Sequence, residues 1–104
     1  MDTAAIKTAL LERRADILTR IESIEQDLKK THSQDFAEQV TERENEEVLE
    51  GLLRDARQEQ QDIRTALLRI EAGSYGICSR CGETINAKRL LARPAASKCI
   101  NCAA

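Results

Sequence analysis

Bulky apolar material is scarce in this chain. Among its 104 residues there is no tryptophan, and Phe36 and Tyr75 are the only aromatics. That excludes a thick globular core, and 33% of the residues are charged. A chain this short with so little to bury needs a metal, crosslinks or extended helix pairing to stay ordered. Its apolar runs are only a few residues long, far below a membrane span. The opening MDTAAIKTAL has no basic region followed by an apolar stretch, so no secretory signal is expected and the expected location is cytoplasmic. There is one histidine, His32, and no Ser/His/Asp set, phosphate-binding glycine loop or H-E-x-x-H sequence. Enzymatic activity therefore has no support.

What the chain does have is helical periodicity. From Thr3 to about Lys30 there is neither Gly nor Pro, and Ile6, Leu10, Ile17, Ile21, Ile24 and Leu28 recur at three-, four- and seven-residue steps. A narrow apolar stripe with charge elsewhere is the pattern of a coiled-coil seam. A second run, from about Phe36 to Ala72, repeats it with Val40, Leu49, Leu52, Ala56, Ile63, Leu67 and Ile70. Its glycine, Gly51, costs roughly 1 kcal/mol against Ala and does not end a helix of this length. The runs would span roughly 40 and 55 Å. The polar link from Thr31 to Gln34 allows them to pair antiparallel within the chain. The second helix would outrun the first, so its last turns need cover from the segment that follows. Asp35 and Glu38 read as a capping box, and Ala72-Gly73 as a helix end with Gly73 in the left-handed conformation.

All four cysteines lie in the last 27 residues of the chain, as the pairs Cys78/Cys81 and Cys99/Cys102, with 17 residues between the pairs. A two-residue gap lets both thiolates of a pair reach one ion, and two such pairs supply the four soft ligands of tetrahedral zinc. In a reducing compartment this pattern points to a metal site rather than two disulfides. A redox pair would need only one C-x-x-C and a βαβ setting. Gly76 and Gly82 flank the first pair, where tight turns bring N–H groups toward sulfur. Asn86 is placed to cap a short helix from about Ala87 to Arg93 that Pro94 ends. Four thiolates leave no open coordination position, so the expected cofactor is one structural Zn²⁺. The expected fold is mainly α: a long antiparallel coiled-coil hairpin over residues 1–73 with its tip near 31–40, then a four-cysteine zinc-finger module over 74–104.

Charge divides along the same boundary. Residues 1–73 carry 11 Lys/Arg against 17 Asp/Glu; residues 74–104 carry Arg80, Lys88, Arg89, Arg93 and Lys98 against Glu83 alone. Four thiolates on zinc would leave the module only mildly basic. An acidic rod with a mildly basic end is poorly suited to gripping duplex DNA by its phosphates. It suits a partner that is itself basic or offers a metal or a basic channel. The acids from Glu42 to Glu50 are accounted for by the helix dipole and by solubility. Phe36, at the hairpin tip, is either a clasp over the helix ends or a partner contact.

The run from Arg69 through Gly73-Ser74-Tyr75-Gly76-Ile77-Cys78, then Cys81-Gly82-Glu83, Arg89-Leu90, Ala92-Arg93-Pro94 and Cys99-Ile100-Asn101-Cys102, resembles the DksA/TraR family of bacterial zinc-finger transcription regulators. The hairpin extends the resemblance over nearly the whole chain. It implies a non-enzymatic regulator that binds RNA polymerase rather than DNA. The zinc module would sit at the mouth of the secondary channel, and the coiled-coil tip would lie near the active-site Mg²⁺, with Asp35, Phe36 and Glu38 as the polymerase-contacting tip. The family's tip motif D-x-x-D-x-A is met here by Asp35, Glu38 and Val40, so the second acid is lengthened and the alanine enlarged. Well-characterised members also bind the alarmone ppGpp jointly with polymerase. Of the matching positions Arg93 is retained, as an alarmone or polymerase-rim contact, whereas the helix position is Asp62. Polymerase binding is thus expected to persist more readily than alarmone response. Larger members have an extra N-terminal helical segment and a helix after the fourth cysteine, and neither is expected here. Three other readings remain open on the residues alone. One is a protein–protein adaptor using the same rod, the second a nucleic-acid-binding finger using Lys88, Arg89, Arg93 and Lys98, and the third a redox or zinc sensor, since thiolates that lose zinc can oxidise to disulfides.

Overall fold

A computed structural model describes residues 3–32 and 39–103, with side chains for 3–30 and 44–103. Two long helices, α1 (Thr3–His32) and α2 (Gln39–Ala72), lie side by side as an antiparallel hairpin, and a short α3 (Ala87–Ala92) follows in the C-terminal module. Thr31 and His32, expected in the link, are the last residues of α1. At 30 and 34 residues the helices are closer in length than the sequence suggests. The capping-box pair Asp35 and Glu38 lies outside the described residues.

The two apolar stripes close on each other. Ile6, Leu10, Ile17 and Ile21 of α1 pack with Ala56, Ile63 and Ala66 of α2 in one buried cluster. Leu10, Ile17 and Ile63 are no more than 2% exposed. Burying one such side chain stabilises the fold by about 1.5–3 kcal/mol. One seam assignment is corrected. Leu52 is 38% exposed, and its neighbour Leu53 packs against the cluster. Leu53 continues the four- and three-residue steps from Leu49 to Ala56, the period that keeps a stripe on one face of a helix. Ala66 shares the seam with Leu67.

The helix ends explain how the chain leaves the hairpin. Gly73 has φ of 76°. The Ser74 N–H donates to the Arg69 carbonyl at 2.9 Å, and the Gly73 N–H to the Ile70 carbonyl at 3.3 Å. These two bonds are the Schellman closure of a helix, and the left-handed residue at its centre is best met by glycine. The second helix does need cover at this end, and the C-terminal module supplies it. Tyr75 and Ala95 pack with Leu67 and Ile70 on the hairpin cluster. Tyr75 also packs on a second, smaller core of Cys78, Ile85 and Leu90, so one aromatic ring joins the two cores. Its hydroxyl donates to the Pro94 carbonyl at 2.7 Å, and burial pushes its phenol above the ordinary range. Among the described residues no helix is long and apolar enough to cross a membrane.

Candidate metal centre

The first cysteine pair sits on a tight turn between two short antiparallel segments. Ile77 bridges Thr84, the Cys78 N–H donates to the Glu83 carbonyl at 2.8 Å, and the Ile85 N–H to the Gly76 carbonyl at 2.7 Å. Gly82, with φ of 78°, lets the chain reverse so that its N–H meets the Cys78 carbonyl at 3.0 Å. Within the turn the Cys81 N–H points at the Cys78 sulfur, 3.5 Å away. The second pair closes a similar turn, with the N–H groups of Cys102 and Ala103 both 3.0 Å from the Cys99 carbonyl. Between the pairs α3 begins as the sequence suggests, with the Asn86 side chain accepting the Lys88 N–H at 2.8 Å. Arg93 is its C-cap, donating its N–H to Arg89.

These turns bring the four sulfurs of Cys78, Cys81, Cys99 and Cys102 within 4.8 Å of one another. Cys81 and Cys99 sulfurs stand 3.7 Å apart. A tetrahedron of zinc–sulfur bonds of about 2.3 Å has edges of about 3.8 Å, so the Cys81–Cys99 pair stands at coordination spacing and no pair is wider than that by more than about 1 Å. The ionisation of the thiols agrees. The Cys81 N–H, and next that of Cys99, hold the Cys78 thiol down to about 5, whereas the hydrogen bond with Cys99 and burial push Cys102 up to about 12. Four thiolates gathered this closely repel one another, and a bound dication would supply the compensating charge. Cys78 is buried, Cys99 and Cys102 are half-buried and Cys81 is exposed. The residues present fit one structural Zn²⁺.

The remaining sequence candidates are dispersed. The tip residues Asp35, Phe36 and Glu38 lie outside the described residues. Arg93 is exposed at the base of the hairpin, in an open cleft that also includes Asp55, Glu59 and Asp62 of α2. Of the finger's other cations, Arg89 is committed to the Lys98 carbonyl at 3.1 Å.

Two structural residues fall outside the candidates drawn from the sequence. Arg13 stands three residues after Leu10, at a seam position, and makes a two-pronged bridge to Glu59 at 2.6 and 3.1 Å. The interrupted stripe is the signal for it. Arg69 donates to three carbonyls of the finger, and in sequence it reads only as a cation suited to a helix C-terminus.

The fold and the cysteine cluster together define a helical hairpin carrying a C4 zinc finger. The DnaK suppressor protein-like N-terminal domain matches residues 6–70, and the prokaryotic dksA/traR C4-type zinc finger matches residues 73–104. The chain belongs to this DksA/TraR family of zinc-finger transcription factors, which are regulators rather than enzymes. Its relatives include an uncharacterized protein of Aquifex aeolicus, 37% identical over 104 residues that cover 93% of this chain and 70% of that protein. The RNA polymerase-binding transcription factor DksA of Haemophilus influenzae is 42% identical over 40 residues, 38% of this chain and 28% of that one. The solved structure of transcription factor DksA2 from Pseudomonas aeruginosa matches with a TM-score of 0.85 at 31% identity, covering 94% of this chain and 77% of that chain.

Proposed function

We propose that this chain modulates transcription initiation by binding RNA polymerase through its secondary channel. The finger stands at the channel mouth and the hairpin tip reaches toward the active site. One observation carries the reading: the molecule is a rod, 56 × 27 × 20 Å, whose apolar seam is closed within the chain and whose base is covered by the finger. A rod closed on itself presents groups at its end with little conformational entropy left to lose on binding. The match to a polymerase-binding factor of Haemophilus influenzae supports the same partner. In this reading Cys78, Cys81, Cys99 and Cys102 ligate the zinc, and Asp35, Phe36 and Glu38 form the contacting tip. Carboxylates there can engage a basic or metal-containing centre.

Alarmone response is not part of the proposal. Arg93, the retained family position, shares its cleft with Asp55, Glu59 and Asp62, and its charge already helps hold the Glu59 carboxyl low. The cleft also holds Arg13, Arg89 and Lys98, but Arg13 is paired with Glu59 and Arg89 with a backbone carbonyl, so little net positive charge is left for an anionic nucleotide. Replacing both tip acids, Asp35→Asn with Glu38→Gln, tests the tip. The variant should bind polymerase within about threefold of the parent and lose its effect on initiation in a purified transcription assay. An unchanged effect would sink the tip assignment.

A further inference from the structure

The two cysteine-bearing segments are held by an arginine that belongs to neither. Arg69 lies in the last turn of α2, and its guanidinium donates to the carbonyls of Ser74 at 3.2 Å, Ser97 at 3.5 Å and, in a close contact, Ile77. Ile77 immediately precedes Cys78, and Ser97 stands two residues before Cys99. The Ser97 carbonyl also accepts the N–H of Ser79, which lies inside the first C-x-x-C pair, at 2.8 Å. The next carbonyl along, Lys98, is taken by Arg89 of α3. The approach to Cys99 is therefore gripped at successive peptide groups from two helices. Arg69 grips the approach to Cys78 at the same time.

The chemistry of the side chain suits the task. A guanidinium has five N–H donors in a rigid planar fork and no acceptor, so it can bond several carbonyls that converge from different segments. An ammonium is a compact point charge on a flexible stem and cannot span the same three. Two cysteine pairs 17 residues apart must meet at one ion. Whatever fixes the segments beforehand removes that ordering cost from metal binding. Groups beyond the ligands that orient them typically change metal affinity 10–100-fold when lost.

We propose that Arg69 is a positioning residue for the metal centre: it ties both ligand segments to the end of the hairpin and so lowers the ordering cost of bringing the four thiolates to one ion. Zinc affinity is thereby a property of the hairpin as well as of the finger. The Arg69 contacts lie at the carbonyls leading into the ligands, whereas the Tyr75 hydroxyl bonds Pro94, outside both segments. That difference separates positioning of the metal from general tightening of the joint.

The test is competition for Zn²⁺ between the full chain and a chromogenic pyridylazo chelator, read by absorbance, with far-UV circular dichroism confirming the hairpin in each protein. Arg69→Gln should lower zinc affinity about tenfold or more. Arg69→Lys, which keeps the charge and the aliphatic stem, should fall nearly as far. Tyr75→Phe should stay within about threefold of the parent. Parental affinity in either Arg69 variant overturns the proposal, because the fork then contributes nothing. A loss in Tyr75→Phe as large as in Arg69→Gln overturns it as well, because any weakening of the joint would then do the same.

Discussion

Arg13 and Glu59 show what a single charged pair adds to a seam made otherwise of aliphatic side chains. Arg13 replaces an apolar residue at a seam position, and its guanidinium bonds both carboxylate oxygens of Glu59. The hydrogen bond from Arg13 holds the Glu59 carboxyl below the usual carboxylate range, with lesser help from the charges of Arg20 and Arg93. Both side chains remain well solvated, 50% and 37% exposed, so screening leaves the pair worth about 0.5–1 kcal/mol. A carboxyl lowered in the folded state adds stability above its unfolded pKa, and that stability is lost as the pH falls through the folded value. Glu59→Gln should therefore be less stable than the parent at pH 7, and the gap should close in acid below about pH 4. Urea unfolding at matched metal loading checks this, and a gap that persists unchanged at pH 3 would contradict it. A polar residue in an apolar stripe was legible in the sequence as an interruption. Its partner was not, since the choice of Glu59 depends on how the two helices align. Arg69 was less legible still, because its partners are backbone carbonyls, which leave no mark in a pattern of side chains.

The elements follow from short-range rules in most places. Gly73 ends α2 through a left-handed residue and Asn86 caps α3 through its side chain, both as their positions in the sequence suggest. The seam of α2 was less certain because Leu52 and Leu53 are adjacent, and a one-residue choice rotates the apolar face by about 100° around the helix. The alignment with α1 selects Leu53. The hairpin and the finger have separate cores, with zinc needed only for the second. Removing zinc with a strong chelator should therefore unfold the six-residue α3 and its turns while α1 and α2 keep most of their helical signal. Ellipticity at 222 nm, followed through chelation and zinc return, measures this. Loss of most of the helical signal would mean that the seam cannot hold the hairpin without the metal. The cysteine spacing made the four-cysteine cluster legible, because a C-x-x-C gap sets the turn that lets both sulfurs of a pair face one point.

At the scale of the whole molecule the design is a stiff rod mounted on a metal-braced base. Two cores meet at Tyr75, and Arg69 ties the end of α2 to both cysteine-bearing segments. In the proposed binding mode, a base fixed in this way carries the placement of the finger along the hairpin. The overall shape was legible from two apolar stripes and a short link. The angle between finger and hairpin was not, since it rests on one aromatic ring and on hydrogen bonds to carbonyls. The most direct test of the functional account is titration of the zinc-loaded chain into core RNA polymerase, followed by challenge with a known secondary-channel factor. The account predicts saturable binding that the challenger displaces competitively. Absence of binding by the folded, zinc-loaded chain, or binding that the challenger leaves untouched, would contradict it.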